Sequence, residues 1–256
     1  MADKAPSKPR PSRSKAAKAA ADARAERRAR GPLWRQGLRW LGRGVLGLAA
    51  FYLVLIVLFA FLNPPGNLYM WSESRRLGGV DQTSVDWGDI APVMARSVVA
   101  AEDANYCLHW GFDMAAIREA VAEGSNRGAS TLSQQVVKNV FLWQGRSWAR
   151  KAMEAVITPA VELVWSKQRI LEVYMNVAEF DEGVFGVQAA AQHYFGVDAA
   201  DLSPTQAARL AAVLPDPKGR SAGKPSSFVR KRASQIAAGA ETIAADGRAA
   251  CFEPSE

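Results

Sequence analysis

A mostly α-helical domain behind one N-terminal transmembrane helix is the fold class the sequence predicts. Three observations carry it: a nineteen-residue run without a charge, a series of helix caps at helical spacing, and no convincing alternation of apolar and polar residues between them. The uncharged run is Gly44 to Leu62, GVLGLAAFYLVLIVLFAFL. It matches the ~20 residues a helix needs to cross the hydrocarbon core.

Charge sorts the chain into regions. The formal net charge is +7, but of 32 Lys and Arg thirteen lie in residues 1–43, against three of the 25 acids (Asp3, Asp22, Glu26). The remaining 19 bases and 22 acids leave the rest of the chain at −3. Residues 1–43, rich in Ala, Pro, Ser and like charge, are expected to form a disordered basic tail, because they bury too little apolar surface to offset ordering entropy. Arg35, Arg39 and Arg43 precede the apolar run, with Trp34 and Trp40 at interfacial positions. By the positive-inside rule the N-terminus is cytoplasmic and everything beyond Asn63 is exported. The run exceeds a signal peptide's usual length and no A-x-A site precedes Pro64 and Pro65, which favours an uncleaved anchor over residues 44–62 in the cytoplasmic (inner) membrane.

After the anchor, residues 63–89 read as a connector of little period with Gly66, Gly78 and Gly79. The domain proper spans 90–235, and 236–256 reads as a frayed C-terminal tail. Residues 90–104 have a helical period. Asp113 caps a helix that Gly124 stops, and Thr131 with Gln134 forms a capping box. Ser147 caps a helix that Pro159 should kink or divide. Ser166 caps another, and Ser203-Pro204 opens the next. FDEGVFG (180–186) breaks this rhythm. Cys107 reads as a small buried hydrophobe.

Four clusters bear on chemistry. In the first, Glu102 and Asp103 end an apolar helix before Tyr106, His109, Gly111 and Asp113. Adjacent acids at a helix end are commonly a solvated terminus, but an apolar setting would raise a carboxylate's pKa, as a general base requires. Neighbours on a helix point about 100° apart, so one of the pair at most faces a cleft. In the second, Ser130-Thr131-Leu132-Ser133-Gln134-Gln135-Val136-Val137-Lys138-Asn139, a helix N-terminus suits an anion, and Gln134 and Lys138 share a face. Alone it is an ordinary capped amphipathic helix. The third sets Arg146, Arg150 and Lys151 one turn before Glu154, which reads as an intrahelical ion-pair set or as a diphosphate site. In the fourth, ILEVYMN (170–176), Tyr174 and Met175 read as core, as does His193 elsewhere. Two histidines and no clustered acids give no support for structural zinc.

Taken together, EDANYCLHWGFD, GASTLSQQVVKN, RKAMEA and ILEVYMN resemble, in order and spacing, the motifs of the family 51 peptidoglycan glycosyltransferases, over roughly residues 90–230. The short anchored chain is similar to the monofunctional members. Ser-x-x-Lys occurs at Ser12 and Ser221, but no Lys-Thr-Gly follows and no residues remain for a penicillin-binding domain. The resemblance implies a lysozyme-like fold with a smaller membrane-embedded lobe. It also implies processive joining of lipid II into β-1,4-linked strands, with inversion and release of undecaprenyl diphosphate.

Residue by residue, the resemblance makes Glu102 the base on the acceptor 4-hydroxyl and Glu154 a second catalytic residue, near the donor diphosphate and assisting its departure. Lys138, Arg146 and Arg150 would hold the diphosphate, and Ser130, Gln134 and Gln135 would line the donor site. Asp103, His109, Gly111, Asp113 and Asn139 complete the motifs. A divalent cation, magnesium or manganese, at the diphosphate is compatible with this pattern, and no organic cofactor is implied. The expected partners are lipid II, the growing glycan, membrane lipids and proteins of the division or elongation machinery, not nucleic acid. Two departures stand out: Tyr106 where the family has Phe, and Ala129 where a second glycine before Ser130 is common.

Two rivals share these features. A lysozyme-like peptidoglycan hydrolase or lytic enzyme would use Glu102 as acid but has no diphosphate for the cations to hold. A non-catalytic membrane scaffold would leave the ordered acids and cations unexplained.

Overall fold

The computed structural model of the chain describes residues 13–29, 33–122, 130–145 and 147–253. They belong to two compact units, 1–52 and 53–256.

The first unit holds α1 (Arg13–Ala29) and most of α2 (Leu33–Phe59). The tail expected to be disordered is thus helical where it is described. Alanine, the strongest helix former, fills α1, and the side chains described there are all exposed, so propensity rather than burial makes the helix. The anchor helix also starts earlier than the apolar run, at Leu33 rather than Gly44, and ends at Phe59 rather than Leu62. Nothing between Leu33 and Gly44 breaks a helix, and the arginines there lie over neighbouring indoles, Arg35 over Trp34 and Arg43 over Trp40 at 5.5 and 5.1 Å. Trp34–Phe59 is long and apolar enough to cross a membrane.

The second unit is built around two helix groups. The first sets α4 (Pro92–Glu102), α10 (Pro204–Val213) and α11 (Ser227–Ala245) against one another; the second packs α6 (Leu132–Phe141) on α7 (Trp148–Val164) and α8 (Lys167–Val177). Alanines at 207, 208, 211 and 212 let α10 approach its neighbours closely, and Met94, Val98 and Val99 of α4 are fully buried. Pro159 does not divide α7. The last turn of α2 is tied to this unit: Trp165 Nε1 donates to Ile56 O at 2.7 Å, and Arg169 donates to Phe59 O and Asn63 Oδ1.

Two expectations need correction. The connector over 63–89 is structured. Asn67 Oδ1 accepts from Met70 N at 2.8 Å and caps α3 (Leu68–Leu77), which Gly78 ends in the left-handed conformation. Beside the helices of this mostly α domain, β1 (Asp81–Gln82), β2 (Glu179–Asp181) and β3 (Val184–Phe185) form a small sheet in the order β1-β3-β2. Gly186 leads from β3 into the following helix, and at φ +86° a Cβ there would meet Asn176 O at 2.9 Å. Second, residues 236–253 are no tail. Ile236, Ala240 and Ile243 present one buried helical face, Phe252 is fully buried, and Cys251 forms a disulfide with Cys107, which is therefore a cross-link rather than a free apolar residue. α5 (Met114–Ala122) and α9 (Val187–Phe195) complete the α-helices among the described residues; the expected stop of α5, Gly124, lies outside the described residues, as does Ala129.

Candidate active site

Glu102 is the last residue of α4 and lines a cavity of about 190 Å³ with Asp103, Asn105, Asp113, Ser130 and Thr131. Its Oε2 accepts from Gln135 Nε2 at 2.9 Å. The Gln135 amide is itself oriented by Tyr174, whose hydroxyl donates to Oε1 at 3.3 Å. Burial pushes the Glu102 carboxyl above its ordinary value, against the Gln135 hydrogen bond and the charges of Arg232 and Lys138. Gln135 lines a second cavity, of about 270 Å³, together with Lys138, Asn139, Tyr69 and Tyr174.

Asp103, the C-cap of α4 with a non-helical backbone, turns its carboxylate to other partners. Its Oδ2 accepts from Leu132 N, the first residue of α6, at 3.0 Å, and its Oδ1 lies 2.9 Å from His109 Nε2. It therefore joins the loop after α4 to the N-terminus of α6. Gly111 closes the same joint. Its carbonyl accepts from Thr131 Oγ1 at 2.7 Å, and with φ +82° a Cβ there would meet Thr158 of α7 at 2.8 Å. Asp113 caps α5 through Ala115 N and Ala116 N and takes a bond from Asn105; the bond from Ala116 N is the main cause that lowers its pKa.

The cations gather on α6 and α7. Burial lowers the Lys138 pKa, helped by the nearby charge of Arg150 and opposed by Glu102. Among the described residues no hydrogen bond or ion pair engages the Lys138 ammonium. Lys151 is lowered likewise, by burial first and then by Arg150 and Lys138, and its Nζ donates to Ser130 Oγ at 3.1 Å. Glu154, only 2% exposed, is clasped by Arg150 through Oε1 and by Lys151 through Oε2, the latter at 2.9 Å. Arg150 also donates to Gly145 O at 2.8 Å.

Glu102, Gln135, Lys138, Ser130, Arg150 and Glu154 are thus brought into one electrostatic neighbourhood. Gln134 is not: it is buried and its Oε1 accepts from Thr131 N, completing the capping box. Asn139 accepts from Gln144 at 3.1 Å on the wall of the larger cavity. Arg146 lies outside the described residues. Sequence reasoning missed Tyr174 as the orienter of Gln135, and Lys151, a member of the third cluster, was given no role of its own by the resemblance. The hydroxyl that Tyr106 adds donates to Lys167 O at 2.8 Å inside the core. A divalent cation does not fit the carboxylate at α7 as it stands. Both oxygens of Glu154 are occupied by cationic side chains, and the described residues hold no group of three His, Cys, Asp or Glu.

Comparison with known proteins gives a consistent result. A family model described as transglycosylase matches residues 72–241. A biosynthetic peptidoglycan transglycosylase of Jannaschia sp. (strain CCS1) is 63% identical over 214 residues, covering 84% of this chain and 90% of that protein. One of Pseudomonas putida (strain GB-1) is 49% identical over 210 residues (78% and 89%), and one of Xanthomonas oryzae pv. oryzae is 47% identical over 222 residues (82% and 91%).

Proposed function

We infer the division of labour in this cleft from a plain premise: the chain belongs to the transglycosylase family and is a peptidoglycan transglycosylase of cell-wall biosynthesis, a glycosyltransferase with a lysozyme-like, mostly α fold. Its substrates are lipid II and the growing glycan chain. The single observation that carries the mechanism is a desolvated carboxylate, Glu102, that accepts from Gln135 in the field of Lys138 on α6 and Arg232 on α11. Glu102 takes the proton of the acceptor 4-hydroxyl as that oxygen attacks the anomeric carbon of the donor. The bond to the diphosphate breaks on the opposite face, so the centre inverts and undecaprenyl diphosphate leaves. Lys138, Arg150 and Lys151 offset the charge that develops on it, and Ser130 keeps Lys151 in place. Arg146 joins this set by motif position.

Glu154 works through the cations rather than on the substrate. With each oxygen engaged by a different cation, it holds Arg150 and Lys151 at one end of the cleft. No step is routed through a metal ion. The hydrolase rival has no use for this cation set. Incubating the purified protein with labelled lipid II tests the reading: polymer that lysozyme digests is expected, and release of sugar fragments from finished glycan without polymer would overturn it.

The helix over Trp34–Phe59 is consistent with a single-pass anchor. We place the N-terminus in the cytoplasm and the domain outside the inner membrane. Arg35, Arg39 and Arg43 on the N-terminal side support this orientation, as does a Cys107–Cys251 disulfide of the kind that persists in oxidising compartments. Protease added to sealed spheroplasts should cut the domain and spare residues 1–43; the reverse pattern would overturn the topology.

A further inference from the structure

The family match ends at residue 241, yet the described chain runs on to 253 and returns to the loop that carries Glu102. α4 ends at Glu102, so carbonyls in its last turn lack partners within the helix. Arg232 Nη2 of α11 donates to one of them, Ala101 O, at 3.0 Å, and Arg248 Nη1 donates to Ala104 O, in the loop beyond the glutamate, at 3.2 Å. Three residues beyond Arg248, Cys251 is bonded to Cys107 in the same loop. Phe252 fills the space beneath, 6.2 Å from the Tyr106 ring and 6.4 Å from that of Trp87. Glu253 pairs with Arg96 of α4 at 3.2 Å.

Arg232 lies inside the family match, but Arg248, Cys251 and Phe252 lie beyond it, and their contacts fall on one short stretch, residues 104–107. We propose that residues 246–253, locked by the Cys107–Cys251 disulfide, are a positioning brace for Glu102, so that placement of the base depends on that bond being oxidised. The proposal rests on the reading of Glu102 as the base. From the other side the loop is fixed by Asp103 on Leu132 N. With the brace intact, the loop after Glu102 is held by α6 on one side and by residues 246–253 on the other; without it, the α6 contact and the Arg232 bond to Ala101 O remain. Loss of an ångström of placement costs up to about a hundredfold in rate.

The test uses the full-length protein in detergent micelles. One sample is treated with a dithiol, which delivers two electrons and two protons to give the Cys107 and Cys251 thiols while the reagent closes to its own disulfide. The other is the Cys107→Ser/Cys251→Ser variant. In both, kcat should fall roughly tenfold with KM for lipid II within about twofold, because the brace touches the base's loop and not the cations. The acid limb of the pH–rate profile should also move toward lower pH. The groups facing Glu102 are Gln135 and Lys138 of α6, Arg232 of α11, Tyr174 of α8 and neighbouring Asp103. None is altered, so the limb reports water reaching a carboxyl whose pKa burial had raised. Arg248→Ala, which leaves the disulfide in place, should move both readouts the same way by a smaller factor.

Unchanged kcat and acid limb in the reduced enzyme and in Arg248→Ala, with only the melting temperature lowered, would overturn the brace and leave a plain stabilising cross-link. Should the double serine variant fail to fold, the enzyme reduced after folding decides the matter by the same two readouts. Glu102→Gln run in parallel separates the two readings. If it polymerises normally, the assignment of the base fails. If it is inactive while reduction changes nothing, the brace alone fails.

Discussion

At the end of α4 a glutamate is half-buried beside one neutral donor; two turns into α7 another is buried between two cations. Glu102 meets Gln135 and desolvation, and the net effect raises its pKa and leaves it able to take a proton from a hydroxyl. Glu154 has both oxygens engaged by Arg150 and Lys151, and none is left for a substrate. The same side chain is given two tasks by its surroundings, as in other sites where paired carboxyls are driven apart in character. A base needs an environment that withholds a direct ion pair from it, so that burial outweighs the charges of Arg232 and Lys138; a leaving-group site needs cations held in place, and a buried carboxylate holds them.

The sharpest way to break this comparison is Glu102→Gln. The substitution keeps the shape and an acceptor for Gln135 but removes the base. Polymerisation of labelled lipid II should fall about 10²–10⁴-fold while substrate binding stays within a factor of about two. If the variant turns over at the wild-type rate, the two glutamates are not divided as described.

Lys138→Ala sharpens the other half. Because Lys138 carries no partner among the described residues, its loss should leave the melting temperature nearly unchanged and weaken donor binding by about 1.5–3 kcal/mol, roughly 10- to 150-fold. Glu154→Gln should do the converse in part: it frees Arg150 and Lys151 from their clasp, so stability falls along with donor binding. Thermal melts beside equilibrium binding of a diphosphate-bearing lipid distinguish the two.

How far the sequence discloses this site depends on what each residue does. Glu102, Lys138 and Arg150 stand out because motif order and helical spacing put acid and cations on facing elements. Gln134 and Gln135 show the limit of motif reading. They are adjacent, so they point about 100° apart, and the capping box that sequence spacing already discloses commits Gln134 to Thr131 N. Tyr174 reads as core and is buried, but a hydroxyl's direction inside a core depends on tertiary packing that no local pattern encodes. The Cys107–Cys251 bond spans 144 residues, a pairing that two cysteines alone cannot announce. The helix α3 is readable, with an Asn cap at 67 and a glycine stop at 78, but surrounding prolines and glycines make the stretch look like a connector.

A smaller effect concerns Gln135. Its amide donates to the Glu102 carboxylate and so favours the charged form. In Gln135→Leu that support is gone and the Glu102 pKa should rise further, moving the acid limb of the rate profile to higher pH. At neutral pH turnover should drop a few-fold, on the order expected for one lost hydrogen bond of about 1 kcal/mol. A limb that moves down instead would mean that hydration, not Gln135, governs the carboxylate.

The smallest effect is on stability, and its sign follows from the same environment. The folded protein holds the Glu102 proton more tightly than the unfolded chain does, because burial raises its pKa above the ordinary 4.5. Stability from this group is therefore fully present below that value and is lost as pH rises through the higher folded one. At neutral pH the ionised, desolvated carboxylate is a cost that function imposes on the fold. Glutamine carries no charge to desolvate, so Glu102→Gln should melt slightly above wild type near neutral pH, by a few degrees at most, given roughly 2–4 °C per kcal/mol in a domain of this size. The gap should close as pH falls below 4.5, where the wild-type carboxyl is protonated as well. The equivalent change at Glu154 should lower the melting temperature near neutral pH, since there a charge with two partners is removed. If both substitutions shift stability in the same direction, the contrast between a withheld and a clasped carboxylate does not hold.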